Sequence, residues 1–173
     1  MKNIIFIATL FITQFIIAQN DPTRGYKVKV GEQAPQISFS LLDGTPITNE
    51  TLKDKVVVLQ FTASWCSVCR KEMPHLEKEV WQRFKNDDFI LIGIDLKEEP
   101  EKVKRFIDQM NVSYPIGLDI DGTNFDNFTL PNAGVTRNIV LDKKGKIIFL
   151  SRLYEEKEFK QMIQIIDLEL KKT

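Results

Sequence analysis

The chain has one histidine, two cysteines and no excess of either charge: 24 lysines and arginines stand against 24 aspartates and glutamates in 173 residues. Each scarcity excludes something. The lone His75 leaves no second histidine and no further cysteine pair to complete the four-ligand set of a structural zinc site. It also lies six positions past Cys69, mostly on another side of a helix, so Cys-His and Ser-His-Asp hydrolases are unsupported. His75 reads as an ordinary surface or partly packed residue. Balanced charge offers nothing to a nucleic acid or an anionic membrane surface. Small secreted scaffolds held by disulfides carry several cysteine pairs. One pair closing a very short loop contributes little as a staple, because loop-closure stabilisation grows with loop length.

What the chain does have begins at its N-terminus. Lys2 and Asn3 precede an apolar stretch, Ile4 to Ala18, interrupted only by Thr9, Thr13 and Gln14. A short positive start, an apolar core of secretory length and a small residue at 18 predict a signal peptide over residues 1–18. An uncleaved anchor is the alternative, but a spanning helix needs about 20 apolar residues. No cysteine near residue 18 allows a lipid-modified N-terminus. The expected mature protein, of about 155 residues, is exported and soluble, in an extracytoplasmic or periplasmic space where disulfides persist. That is one domain's length. A polar, turn-rich linker over 19–30 and a folded domain over 31–173 are expected, as a monomer.

Strand and helix signals alternate along that domain. "QISFSLLDG" predicts a strand ending at Asp43-Gly44. "VVVLQFT", 56–62, is a nearly continuous β-branched run suited to a strand buried on both faces. Met73, Leu76, Val80 and Phe84 recur at helical spacing and predict a helix from about Ser67, kinked at Pro74. "FILIGID", 89–95, predicts a second buried strand, and Pro100 suits a helix's first turn, with Val103, Phe106, Ile107 and Met110 as its apolar face. "YPIGLD" is a short strand. "IVLDKKGKIIFL" is a hairpin turning at Gly145. Phe159, Met162, Ile163, Ile166 and Leu170 mark a last helix. The fold class is α/β, with a central mixed sheet because the late hairpin must be antiparallel. Asp119, Asp121 and Asp126 hint at a calcium loop, but its terminal acid falls on Leu130; that stretch is expected to be plain loop.

"WCSVCRKEMP" therefore sits where a buried strand hands over to a helix. Residues three apart on a first helical turn share a face, close enough for Cys66 and Cys69 to form a disulfide without backbone movement. Unpartnered N–H groups and the positive end of the helix dipole lower a thiol's pKa there. The thiolate is the nucleophile of disulfide exchange. Cys66, at the exposed end, is the expected attacker; Cys69, one turn in, resolves. Arg70 and Lys71 read as solvated helix residues. No cofactor or metal is called for.

"VVVLQFTASWCSVCRKEMPHLEKEV", "FILIGIDLKEEPEKVKRFIDQMNVSYPIGLD" and "GVTRNIVLDKKGKII" resemble the TlpA/ResA-like thiol-disulfide oxidoreductases of the thioredoxin superfamily. The likeness runs from about Gly31 to the C-terminal helix. It implies a thioredoxin-like fold with an N-terminal extension and a strand-helix insertion at about 89–119. It further implies an exported protein-disulfide reductase, acting on exported protein dithiols and disulfides and recharged by a membrane thiol-electron donor. Within that resemblance, the buried acid of many thioredoxins is replaced by Gln60. A glutamate of the central insertion matches Glu98, a candidate catalytic acceptor for the Cys69 proton, with a solvated acid ahead of a helix as the alternative. Trp65, Thr136 and Arg137 are candidate substrate-binding or thiolate-tuning residues. Thr136 replaces the family's cis-proline, so a trans Val135–Thr136 bond is expected, since cis bonds before non-proline residues cost about 2.5–4 kcal/mol. Arg137 pointing at the thiolate would suggest a peroxiredoxin-like thiol peroxidase, although the peroxiredoxin pattern fails at Leu59 and Ala63. A non-catalytic thioredoxin-fold binding or assembly protein is the third reading.

Overall fold

The computed structural model describes residues 23–172; the expected signal peptide lies outside them. Seven strands and five α-helices follow one another as β1 (Ser38–Leu41), β2 (Pro46–Thr48), β3 (Val56–Thr62), α1 (Ser67–His75), α2 (Gln82–Phe84), β4 (Phe89–Leu96), α3 (Pro100–Met110), β5 (Ile116–Asp119), α4 (Thr123–Phe128), β6 (Arg137–Leu141), β7 (Ile147–Arg152) and α5 (Glu156–Leu170). They form one mixed sheet in the order β2-β1-β5-β4-β3-β6-β7. The pairs β3/β4 and β4/β5 are parallel, and the remaining pairs are antiparallel.

The β-branched run of β3 is explained by its position. It lies between β4 and β6, and all seven of its residues are buried. Alternation sends Val56 and Val58 to one face, where Met73, Leu76, Val103, Phe106, Met162 and Ile166 from α1, α3 and α5 and the turns beside them cover them. Val57, Leu59 and Phe61 face the opposite layer, with Phe125 and Phe128 of α4 and Tyr26. Each such side chain contributes of the order of 1.5–3 kcal/mol on burial.

Where a kink is expected at Pro74, the helix changes its hydrogen-bond pattern. The proline has no N–H to return to the preceding turn, and α1 passes at Leu76 into a π-helical stretch, Leu76–Trp81, before α2. The hairpin β6–β7 turns through Asp142–Gly145, with Gly145 at φ 77°. Two expectations are corrected. Residues 119–130 are not plain loop: the Asp119 carboxylate accepts from the backbone N–H groups of Asn124 and Phe125 and caps α4. Residues 23–30 are not a free linker. Tyr26 is buried, bridges Thr129 and donates to the Ser151 carbonyl at 2.5 Å, while Arg24 forms an ion pair with Glu158. A turn-rich sequence reads as linker because its partners, near 129, 151 and 158, are remote in the chain.

Candidate active site

Cys66 is the N-cap of α1, and its sulfur accepts the Cys69 N–H at 3.1 Å. The two cysteines are joined as a disulfide, with Cα atoms 5.3 Å apart. Both cysteines are buried, but Cys66 keeps 7% of its surface exposed and Cys69 none, so Cys66 is the more accessible of the two. Backbone N–H groups without helical partners favour negative charge on it. Trp65, immediately before, stands out with 65% exposure.

Thr136 comes from the loop entering β6. Its hydroxyl lies 3.1 Å from the Cys66 sulfur and 3.3 Å from that of Cys69. Among the described residues no peptide bond is cis, so the Val135–Thr136 bond is trans. Arg137, one residue on in an extended strand, projects to the opposite side. Its guanidinium sits 4.4 Å above the Tyr26 ring and donates to the carbonyls of Gly134 and Arg24. Thiolate tuning by Arg137 is therefore corrected: the side chain is buried against the N-terminal segment, neither on the cysteines nor in solvent.

Glu98 is not a solvated acid. It is 6% exposed, its Oε2 accepts the Ser64 N–H at 2.5 Å, its Oε1 accepts the Ser64 hydroxyl at 2.8 Å, and Lys102 pairs with it. Burial pushes its pKa up, but the lysine and the serine donors outweigh that and hold it below the usual range. Those partners fix the turn two residues ahead of Cys66. Arg70, expected in solvent, grips the same turn by donating from Nε to the Ser64 carbonyl at 2.8 Å while stacking on Phe106.

The acid that reading the sequence missed is Glu72. It lies one helical turn beyond Cys69, on the same buried face, and is 1% exposed. Asn138 donates to its Oε1 at 2.7 Å and Gln60 reaches its Oε2 at 3.5 Å. Tyr114 completes the set, donating to Gln60 at 2.9 Å. Gly93 makes room for this group, since a Cβ there would come within 3.2 Å of the Tyr114 ring and 2.5 Å of Ile116. Burial raises the Glu72 carboxyl to about 7, although both amides pull the other way. The signal was present: a carboxylate at a core-facing position among Cys69, Met73 and Leu76.

Known proteins similar to this chain carry names that fit a cysteine pair able to exchange disulfides. The AhpC/TSA family model matches residues 30–150. Thiol-disulfide oxidoreductase ResA of Bacillus thuringiensis subsp. konkukian is 30% identical over 135 residues, 78% of this chain and 76% of that protein. The chain belongs to the AhpC/TSA family, among its ResA-like thiol-disulfide oxidoreductases. Another relative, thiol:disulfide interchange protein HelX of Rhodobacter capsulatus, is 30% identical over 155 residues, 85% of each chain. The solution structure of a candidate protein disulfide isomerase from Bacteroides thetaiotaomicron superposes with a TM-score of 0.82 at 50% identity, covering 86% of this chain and 94% of that one. The family fold accounts for the thioredoxin-like sheet.

Proposed function

We propose that this ResA-like protein reduces disulfides in exported proteins, with Cys66 as nucleophile and Cys69 as resolving thiol. The observation that carries the reading is the asymmetry of the pair: Cys66, on a helix N-terminus, keeps 7% of its surface exposed, and Cys69 behind it keeps none. In the reduced form the Cys66 thiolate attacks one sulfur of a substrate disulfide and expels the other as a thiolate. Cys69 then loses its proton, attacks Cys66 in the mixed disulfide and releases the second substrate thiol. Two electrons leave the dithiol, and the Cys66–Cys69 disulfide remains until a donor dithiol, supplied at the membrane, restores it.

The geometry gives each neighbour a task. The Thr136 hydroxyl donates to the developing thiolate. Glu72, poised near neutrality, accepts the Cys69 proton better than Glu98, whose low pKa makes it a weak base. Glu98 and Arg70 hold the turn, and Trp65 offers an apolar plate to the substrate. With Arg137 turned away, the feature that favoured a thiol peroxidase is gone.

Export by the N-terminal segment belongs to the same proposal. Among the described residues no helix is long and apolar enough to cross a membrane. The test is to express Cys69→Ser in the native host and identify proteins held on Cys66 as mixed disulfides. Exported cysteine proteins released by dithiothreitol are expected. A double Cys66→Ser, Cys69→Ser variant that retains full function would replace this reading with a binding role.

A further inference from the structure

Asp95 lies near the end of β4, paired with Thr62 on β3 and Leu118 on β5. Alternation along β4 puts it on the face of Leu91, under α1 and α3. It is 1% exposed, and neither carboxylate oxygen has a hydrogen-bond partner. An ionised carboxylate held that way costs several kcal/mol. The group facing it is another acid, Glu98. Two carboxylates are both acceptors and cannot bond to each other, but a proton on one creates the missing donor. Glu98 already takes the Ser64 N–H, the Ser64 hydroxyl and the Lys102 ammonium. Those donors stabilise its charge, so the proton belongs on Asp95.

We infer that Asp95 and Glu98 form an acid pair sharing one proton, in which Asp95 donates to Glu98 and thereby fixes Ser64 and the Trp65–Cys66 turn. Asp95 is a positioning residue, and its ionisation is an alkaline switch on Cys66. Loss of the proton sets two negative charges side by side and draws Glu98 away from the Ser64 N–H. The turn is then left to Arg70, on its other side. Charged groups around the pair are few. Glu98 and Lys102 act on Asp95 directly, Arg70 of α1 reaches it only through Ser64, Glu72 of α1 lies farther along the same face, bonded to Gln60 beside Gly93, and the flanking strands present the uncharged Thr62 and Leu118. Burial first, then Glu98, pushes the Asp95 carboxyl up to about 8, with Lys102 opposing.

The effect on Cys66 rests on the oxidoreductase reading, whereas the proton itself does not. Carbon-13 spectra of the oxidised protein, labelled at aspartate and glutamate carboxyls, test it directly. Asp95 is expected to titrate near pH 8 with Glu98 staying ionised, and the Ser64 amide proton should shift with the same midpoint. An Asp95 midpoint below about 5, near the ordinary value, overturns the pair. Asp95→Asn supplies a donor that cannot ionise. It should abolish the Ser64 amide shift and remove the inflection near pH 8 from the pH profile of Cys66 alkylation in the reduced protein, leaving those of the thiols and of Glu72. A Ser64 amide shift and a matching alkylation inflection that both persist in Asp95→Asn overturn the switch. If that variant does not fold, the wild-type titration decides alone; absent reductase turnover beside an intact titration faults the function, not the pair.

Discussion

The hydroxyl of Thr136 faces the sulfur of Cys66 at 3.1 Å, from a position where a proline would offer no donor. A hydrogen bond to a charged group contributes about 1.5–3 kcal/mol, or roughly one to two pKa units. Thr136→Val should therefore raise the Cys66 pKa by about one unit and slow its alkylation at pH 7, while Thr136→Ser restores both. Equal pKa values in all three proteins would remove the hydroxyl from the chemistry. Iodoacetamide kinetics against pH reads the difference.

Glu72 separates the two half-reactions. Glu72→Gln should leave the attack of Cys66 on a model disulfide within a few-fold of wild type and slow resolution of the mixed disulfide by about 10²-fold, the lower range for a positioned general base. Quenched-flow trapping of the mixed disulfide measures both steps. Glu98→Gln should show the reverse ranking, disturbing the turn before Cys66 more than resolution. Equal resolution rates in wild type and Glu72→Gln would return the base to another group.

Stability should fall as the solution turns alkaline. Glu72 and Asp95 have folded-state pKa values raised from 4.5 and 3.8 to about 7 and about 8. An acid with a raised value favours the protonated folded form, so its contribution is complete below its unfolded value and is lost as pH climbs through the folded one. Urea unfolding from pH 5 to 9 should show a decline of up to about 1.4 kcal/mol per pH unit for each proton involved. Glu72→Gln and Asp95→Asn should each flatten it. A stability that rises steadily across this window would contradict both assignments.

Arg137 acts on the fold and not on the thiols. Arg137→Ala removes the cover over Tyr26 and leaves the carbonyls of Arg24 and Gly134 without their donor. A loss of roughly 2–4 kcal/mol is expected from packing and the unpaired buried acceptors together. The Cys66 pKa should not change. Thermal unfolding and thiol titration on the same variant separate the two effects.

Composition and periodicity by themselves determined the class, the cysteine pair and the order of the long elements, but not the short strand β2 or the helix α4. Strand β3 announces itself because a strand covered on both faces must be apolar throughout, and α1 because its core positions recur every three to four residues. Cys66 is legible as the candidate nucleophile because a helix N-terminus is a local feature. What only the tertiary structure decided is which polar groups meet. Residues 23–30 are turn-rich in sequence, yet they close one face of the core through Tyr26. Glu72 carries no mark except an acid on a buried face. Its environment is set by Gln60, Tyr114 and Asn138, which reach it from three strands or their edges. Arg137 and Thr136 are neighbours in the chain, but the two-residue period of an extended strand sends one to Tyr26 and the other to the sulfurs. Burial and pairing set the charge state of a carboxyl, and both depend on contacts across tens of residues that no local pattern encodes.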